Sequence, residues 1–374
     1  SSRVAVERLA KFIEDENFLG IIEKTPGVRS LQIRFSTKRW DAISLAKALE
    51  PLFLKAVEVT NAKVESRIIR MPLSWRDPCC QQAEERYMSI VNPDAPWCPD
   101  NLEFIRRING LEKATDVKNI VFDASYLVMG LGDVYLGAPV ATPMDPTHRL
   151  VTTKYNPART WTAQNSVGIG GAYMCVYGME GPGGYQLVGR TMPVWRDEGF
   201  STNEDKCWLL RHFDQIQFYE VEEDELLEFR KRTLIGEFEP AVVETTFDLN
   251  AYLKMIEAKS DEIREFNLRR SQAFSEEMER WRELPEFEPN LAPSSINVSS
   301  LREVAGVQVK AEMSASVWKV IASPGEDVKI GETILVVEAM KAEFEVKATS
   351  TGKVQLHVKE GQVVRSGDLL ASIA

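Results

Sequence analysis

The chain has 374 residues, which is enough for two or three domains with buried cores. Hydrophobic residues make up 44% and charged residues 27%, as in an ordinary soluble globular protein, and the formal net charge of −11 argues against nucleic acid as a partner. No apolar run approaches the roughly 20 residues of a membrane span. The five cysteines lack CxxC spacing and the three histidines form no cluster, so we expect neither disulfides nor a metal site, and a cytoplasmic location.

The first part of the chain mixes helical and extended patterns. Apolar side chains at helical spacing predict helices over residues 4–15, 42–50, 81–90 and 101–108. Alternating side chains predict strands over residues 31–35 and 67–71. We expect Pro51 to end or kink the second helix and Pro72 to close the second strand, because proline has no N–H to donate. The pattern predicts an α+β lobe over residues 1–114.

Short extended runs dominate the next segment. Apolar runs predict buried strands over residues 117–122 and 125–129. From Gly130 to Trp195 the sequence is rich in glycine, proline and short β-type runs, which is typical of strands joined by tight turns. We therefore predict a compact β-barrel within residues 115–245.

Charge and helical spacing mark the segment that follows. Within residues 246–284, apolar side chains recur at helical spacing among many Glu, Lys and Arg residues, which predicts one or two amphipathic helices with a solvated face. Residues 285–304 have the proline, serine and asparagine content of a semi-flexible linker. Residues 305–374 then form a small terminal domain.

The densest glycine cluster lies in residues 167–191 and has two interpretations. A phosphate-binding loop is one, because glycines let backbone amides approach an anion. However, Gly168-Ile169-Gly170 lacks the spacing of a dinucleotide loop, and no GK[ST] sequence is present. The favoured interpretation is that the glycines serve tight turns and bulges of a barrel.

The terminal domain contains an internal repeat. Residues 331–337 are similar to residues 367–373, and residues 324–328 are similar to residues 360–364, both at an offset of 36 positions. A repeat of this kind predicts two similar β units that pack with quasi-twofold symmetry.

An apolar run over residues 333–337 and an alternating run over residues 343–346 predict a hairpin with Met340 and Lys341 at its tip. The sequence Glu-Ala-Met-Lys ending at Lys341 resembles the attachment motif of biotinyl domains in biotin-dependent carboxylases. That resemblance implies a flattened barrel of two four-stranded sheets, with biotin joined to Lys341 by a biotin protein ligase. Lipoyl domains share the fold but usually lack the methionine, so biotin is favoured. The alternative is an ordinary exposed turn lysine.

A second resemblance covers nearly the whole chain. The motifs that carry it lie at residues 25–30, 132–137 and 183–191, which resemble the allophanate-hydrolase-subunit-1 (kinase-inhibitor-like) family, and at residues 72–75 and 101–110, which resemble urea carboxylases. In urea carboxylases and fused urea amidolyases this unit is one half of the carboxyltransferase domain and precedes a biotinyl domain. The implied fold is β-rich α+β: a cyclophilin-like β-barrel with an α+β N-terminal lobe, a helical segment and a biotinyl domain.

The same resemblance implies the activity and its partners. An upstream biotin carboxylase domain would use ATP and bicarbonate to place a carboxyl group on biotin N1. The carrier would then bring it to the carboxyltransferase, where it passes to a urea nitrogen and gives allophanate, a step in nitrogen metabolism. The other carboxyltransferase half is the second expected partner. Because no ATP-grasp-like loop occurs here, we expect a C-terminal fragment or a separate subunit.

Such a site needs hydrogen-bond donors to the ureido oxygen of biotin and acceptors for the substrate N–H groups. The candidate donors are Lys154, Arg159 and Arg190. The candidate acceptors are Asp133, Gln164 and Gln186. Each has an alternative structural role in a loop salt bridge or a turn, and Tyr177 and Tyr185 either stack on biotin or pack in the barrel core.

Two other functions remain open from the sequence. Guanidine carboxylases resemble urea carboxylases, and a pocket with an extra carboxylate would favour the guanidinium cation over neutral urea. A non-enzymatic carrier and regulatory protein, with the kinase-inhibitor-like unit as a binding module, is the other alternative.

Overall fold

The computed structural model describes residues 2–59, 61–132, 137–203, 206–282, 306–311, 315–339, 342–364 and 367–374. They belong to two compact units, Ser1–Pro289 and Asn290–Ala374. The predicted linker over residues 285–304 lies outside the described residues. Among the described helices, none is long and apolar enough to cross a membrane.

The first unit combines helices with an extended set of strands. Its described helices are α1 (Ser2–Asp15), α2 (Ala42–Val57), α3 (Pro78–Ile90), α4 (Asn101–Ile108), α5 (Ala114–Asp123), α6 (Glu223–Leu234), α7 (Leu249–Ala258) and α8 (Ser260–Arg282). Its described strands are β1 (Ile21–Pro26), β2 (Leu31–Phe35), β3 (Lys63–Trp75), β4 (Tyr126–Leu131), β5 (Pro139–Pro143), β6 (Arg159–Thr162), β7 (Ser166–Gly170), β8 (Tyr173–Val176), β9 (Gly181–Gly183), β10 (Gln186–Thr191), β11 (Gln215–Val221) and β12 (Ala241–Asp248).

A closed barrel forms the centre of this unit. The strands follow the order β10, β7, β8, β5, β4, β11 and β3, and pairing of β10 with β3 closes the ring, while β12 adds to β3 on the outside. Ile69, Met71 and Leu73 alternate along β3 and are fully buried in the core. The predicted β-rich α+β class with a barrel is confirmed. The barrel takes β3 from residues 1–114 and its other strands from residues 115–245.

Residues 117–122 form part of helix α5, so the prediction of a strand there was wrong. Val117, Ile120 and Val121 recur at helical spacing, and a short apolar run of this kind also fits a buried strand. The Asp116 carboxylate accepts a hydrogen bond from the Lys113 main-chain N–H over 2.9 Å, which stabilises the first turn. The first turn and the spacing therefore favour the helix.

Pro51 does not end helix α2, and the prediction that Pro72 closes β3 was wrong. Helix α2 continues past Pro51 to Val57, and Pro51 lies on its exposed side. Strand β3 continues through Pro72 to Trp75. Pairing with β12 ends at Arg70 and pairing with β10 begins at Leu73, so the missing N–H of Pro72 falls in a gap between two partner strands.

The long helical segment packs on α4. The predicted helices within residues 246–284 are confirmed as α7 and α8. The Glu277 carboxylate on α8 pairs with Arg107 on α4 over 3.0 Å. The rings of Phe104 and Trp281 stack with centroids 6.1 Å apart. Polar and aromatic contacts therefore hold the end of α8 against the barrel unit.

The second unit is a sandwich of two sheets. Its described strands are β13 (Val307–Lys310), β14 (Ala315–Val320), β15 (Asp327–Val328), β16 (Thr333–Ala339), β17 (Ala342–Lys347), β18 (Gly352–Leu356), β19 (Val363–Val364) and β20 (Leu369–Ile373). One sheet has the order β13, β20, β18, β15 and the other β17, β16, β14, β19, which confirms the two predicted four-stranded sheets.

The internal repeat is visible in this sandwich. Strands β15 and β16 of the first repeat correspond to β19 and β20 of the second. Strands β15 and β20 belong to one sheet, and β16 and β19 belong to the other. Gly331 and Gly367 occupy matching turns with φ of +86° and +89°, a conformation that side chains other than glycine rarely adopt. The predicted quasi-twofold arrangement is confirmed by this exchange of strands.

Candidate functional site

Tyr185 lies where the glycine-rich strands leave space for an aromatic ring. A Cβ atom on Gly170 would lie 2.4 Å from Cδ1 of Tyr185, and one on Gly168 would lie 2.9 Å from its Cβ. The Tyr185 main-chain N–H donates to the Tyr177 hydroxyl over 3.1 Å. The register of β10 against β7 also shifts between Leu187 and Gly189. The glycines thus serve packing and a bulge, as the favoured interpretation predicted.

Arg159 is held inside the unit. Its side chain is 1% exposed, and its Nη1 donates to the main-chain oxygen of Tyr185 over 2.7 Å. Its Nε and Nη2 both donate to the Thr162 hydroxyl over 3.3 Å. The guanidinium carbon lies 4.4 Å from the centroid of the Tyr155 ring. These hydrogen bonds of Arg159 are made within the protein, and they fix the position of Tyr185.

Lys154 and Gln186 make contacts between residues 153–154 and residues 185–186. The Lys154 ammonium lies 4.7 Å from the centroid of the Tyr185 ring, within cation–π distance. Gln186 is fully buried, and its Nε2 donates to the main-chain oxygen of Thr153 over 3.0 Å. Among the described residues, the Oε1 of Gln186 has no hydrogen-bond partner, although a buried acceptor without one is costly. It is an acceptor, as predicted, but it is enclosed by protein.

Arg190 and Gln164 form a second group near the end of β10. The Arg190 Nε donates to the main-chain oxygen of Gln164 over 3.0 Å. The Gln164 Nε2 donates to the main-chain oxygen of Gly178 over 3.1 Å. Arg190 Nη1 contacts the sulfur of Cys79 over 3.1 Å. These contacts tie β10 to the first turn of α3.

The predicted site residues therefore fall into two groups joined by one strand. Gln186 begins β10 and Arg190 lies four residues later, about 13 Å along an extended strand. Lys154 and Arg159 belong with the first group and Gln164 with the second. Asp133 lies outside the described residues. Among the described residues, no three His, Cys, Asp or Glu side chains are grouped to hold a metal ion.

Glu84 on α3 is a buried carboxyl that the sequence analysis did not single out. Burial, followed by the nearby charge of Asp100, raises the pKa of Glu84 to about 8 against the opposing charges of Arg159 and Arg76. The signal was present in the sequence, because Glu84 shares a helix face with Cys80, Ala83 and Tyr87, which are all buried.

Asn101 joins Tyr155 to strand β10. Its Nδ2 donates to the Tyr155 hydroxyl over 2.6 Å, and its Oδ1 accepts from the Leu187 main-chain N–H over 2.8 Å. Burial raises the pKa of Tyr155, so this hydroxyl stays protonated near neutrality. Helix α4 and strand β10 are therefore connected through buried polar contacts directly beside Tyr185.

The predicted attachment residues Met340 and Lys341 lie outside the described residues. The strands on either side fit an attachment hairpin, because β16 and β17 pair up to the partners Ala339 and Ala342. Only two residues of sequence connect these partners. Strand β16 itself contributes Ile334 and Leu335 to the buried cluster of this unit.

A glycine-rich barrel joined to a two-sheet domain with this hairpin defines a protein of the biotin-dependent carboxyltransferase class. Residues 1–204 match the family model "Carboxyltransferase domain, subdomain C and D", and residues 305–373 match "Biotin-requiring enzyme". The chain belongs to the family of carboxyltransferase domains, subdomains C and D, and carries a domain of the biotin-requiring family at its C-terminal side.

Individual relatives align over nearly the whole chain. Urea amidolyases from Lachancea kluyveri and Saccharomyces cerevisiae are 38% and 35% identical, each over 98% of this chain. The crystal structure of Kluyveromyces lactis urea carboxylase matches 100% of this chain with 37% identity and a TM-score of 0.69. The chain spans 20% of the length of each amidolyase and 32% of the crystallised chain.

Proposed function

We propose that this chain is the carboxyltransferase half and biotin carrier of a urea carboxylase, a biotin- and ATP-dependent ligase of the cytoplasm. The observation that carries the proposal is the presence of both domain families in one chain that aligns over 98% of its length with urea amidolyases. The reaction moves a carboxyl group to a urea nitrogen and gives allophanate. A purely regulatory carrier is disfavoured, because its relatives named here are enzymes.

Lys341 is the proposed attachment point. Biotin bound there supplies the carboxyl group from its ureido nitrogen. In sequence, Lys341 lies between Ala339 and Ala342, the last described pairing partners of β16 and β17, and loop tips are where modifying enzymes commonly act. Met340 is proposed as part of the sequence that the biotin protein ligase recognises.

The described barrel residues suit a neutral substrate. Lys154 and Arg159 are two cations close to Tyr185, and the nearby Glu84 has its pKa raised to about 8 by burial and is therefore largely protonated at pH 7. The two cations beside Tyr185 would repel a guanidinium ion held next to that ring, whereas urea has no charge to be repelled. This repulsion is the argument for urea over guanidine.

The candidate residues then take different roles. Lys154 is proposed as a hydrogen-bond donor that stabilises negative charge on the ureido oxygen as the carboxyl group leaves. Arg190, in the second group, is proposed to position Gln164 and the first turn of α3. Gln164, Gln186 and Asp133 are proposed as acceptors for substrate N–H groups. Arg159 is a positioning residue, because the hydrogen bonds of its guanidinium go to Tyr185 and Thr162.

Partners complete the reaction in this proposal. The family model describes subdomains C and D, so we propose that a biotin carboxylase domain and the remaining carboxyltransferase subdomains act together with this chain. The purified chain alone should not carboxylate urea. Turnover of urea by the isolated chain supplied with carboxylated biotin would contradict this dependence.

The proposal is tested by reconstitution of the biotinylated chain with those partners. We expect release of ADP to require urea, bicarbonate and biotinylation, and avidin to block it. The Lys341→Arg variant should have no urea-dependent turnover. Urea-dependent turnover that persists in Lys341→Arg without added biotin would contradict the proposal.

A further inference from the structure

The end of α8 carries a buried carboxylate in a helix with many exposed charged side chains. Glu277 is 2% exposed, and its carboxylate accepts from Arg107 Nη2 over 3.0 Å and from the Trp281 indole N–H over 3.1 Å. Burial opposes the charged form, but the hydrogen bonds from Arg107 and Trp281 keep the pKa of Glu277 below its usual value. The carboxylate is therefore a fixed ionic contact between α8 and α4.

This contact fixes the last turns of α8 specifically. Earlier on the helix, Arg270 Nη1 donates to the main-chain oxygen of Arg149 over 3.0 Å. Beyond Arg270, the described polar links to α4 are made by Glu277, and the Trp281 ring stacks on Phe104. Loss of the Glu277 contact therefore weakens the attachment of α8 after Arg270, which is then held by the Trp281–Phe104 stack and by Ala273 beside Gly110.

This last part of α8 leads directly to the carrier domain. Residues 283–305 connect α8 to the described start of the second unit at Gly306, and their composition predicts a linker. The length of chain between a fixed point and a tethered group sets the effective concentration of that group. Moving the fixed point from Arg282 back to Arg270 lengthens the connection about one and a half times.

We propose that Glu277 and Arg107 are positioning residues for the swinging carrier, an inference that rests on the proposed function. They fix the end of α8, and so the point on the barrel unit from which the linker starts. They touch neither biotin nor substrate. Because effective concentration falls roughly as the −3/2 power of tether length, releasing α8 should lower transfer from tethered biotin about twofold.

Three variants of the complete biotinylated enzyme separate this role from a general structural one. Glu277→Gln removes the charge with little change of shape, and Glu277→Arg opposes Arg107. The double variant Arg107→Glu with Glu277→Arg restores opposite charges across the contact. Glu279→Gln is the matched control, because Glu279 is an exposed carboxylate two residues away on the same helix.

Each variant is assayed in two ways. Turnover with biotin attached to Lys341 depends on the length of chain between α8 and the carrier domain. Turnover of the Lys341→Arg form supplied with free biotin does not depend on that length. We expect Glu277→Gln and Glu277→Arg to lower only the tethered rate, about twofold, and to make α8 more sensitive to limited proteolysis. Glu279→Gln should match the parent enzyme, and the charge-swapped double variant should recover most of the loss.

Equal losses in the tethered and free-biotin assays would overturn the proposal, because they indicate damage to the carboxyltransferase itself. An unchanged tethered rate in Glu277→Arg would also overturn it, whether or not α8 becomes more sensitive to proteolysis. Failure of the proposed function is distinguishable, since the parent enzyme would then show no urea-dependent turnover in either assay.

Discussion

The guanidinium of Arg159 donates to the main-chain oxygen of Tyr185 over 2.7 Å, and the ammonium of Lys154 lies 4.7 Å from the centroid of the same tyrosine ring. Tyr185 thus accepts a hydrogen bond from a buried cation at its main-chain oxygen, and a second cation lies close to its ring. On β7, Gly170 makes room for that ring and Gly168 for the Cβ atom of the same tyrosine. Tyr185 is therefore the point through which the barrel organises the first group of candidate residues.

Replacing Arg159 with lysine should destabilise the barrel unit. A lysine lacks the planar fork that serves Tyr185 and Thr162 together, so at least one buried acceptor loses its donor. We expect the free energy of unfolding to fall by about 2–4 kcal/mol, measured by denaturant titration. Arg86→Lys is the control, because Arg86 is exposed and faces Trp161 at 5.8 Å. Equal losses in both variants would refute this account of Arg159.

Replacing Gly170 with alanine should displace the Tyr185 ring. The added Cβ would lie 2.4 Å from Cδ1, which the surrounding structure must relieve by moving. We expect a loss of about 1–3 kcal/mol in unfolding free energy and a lower carboxyl-transfer rate. Gly130→Ala is the matched control, since a Cβ there meets no atom within 4 Å. Full stability and activity in Gly170→Ala would show that the ring does not need this space.

Glu84 should make stability depend on pH. Burial raises its pKa from 4.5 to about 8, so the folded state binds the proton more tightly than the unfolded state. The stabilisation is complete below pH 4.5 and is lost as the pH rises through 8. Relative to Glu84→Gln, the parent should lose about 4 kcal/mol between pH 4.5 and pH 8.5 in denaturant titrations. The exposed Glu85→Gln should show no such trend, and a flat difference for Glu84→Gln would contradict the prediction.

Much of the architecture followed from local patterns. The alternation along β3 and the helical spacing of α3 and α4 were sufficient to predict those elements. Residues 117–122 were assigned wrongly because a short apolar run fits both a strand and a helix. The continuation of β3 through Pro72 depends on where β12 ends and β10 begins, which is tertiary information.

The candidate site was less accessible to sequence reasoning. The sequence allowed charged and amide residues to be selected by type. It could not show whether their hydrogen bonds are made within the protein, as those of Arg159 are. The burial of Glu84 and its closeness to Arg159 depend on packing of α3 against β6. The buried Glu277 was hidden in a charged helix, because a single partner on α4 distinguishes it from its neighbours.

Lys341→Arg should abolish biotinylation while keeping the positive charge. The ligase forms an amide with a primary amine, which arginine does not offer. A streptavidin blot of protein co-expressed with biotin ligase measures the outcome. Lys347→Arg, on the neighbouring strand β17, is the control and should be labelled like the parent. A signal that survives in Lys341→Arg would exclude this residue as the attachment site.

The central claim is tested most directly by the acceptor of the carboxyl group. The reconstituted enzyme is given ATP, labelled bicarbonate and either urea or guanidine, and the labelled product is quantified. We predict label in allophanate with urea, dependent on Lys341, and much less product with guanidine. Preferential carboxylation of guanidine, or no labelled product from urea, would contradict the account.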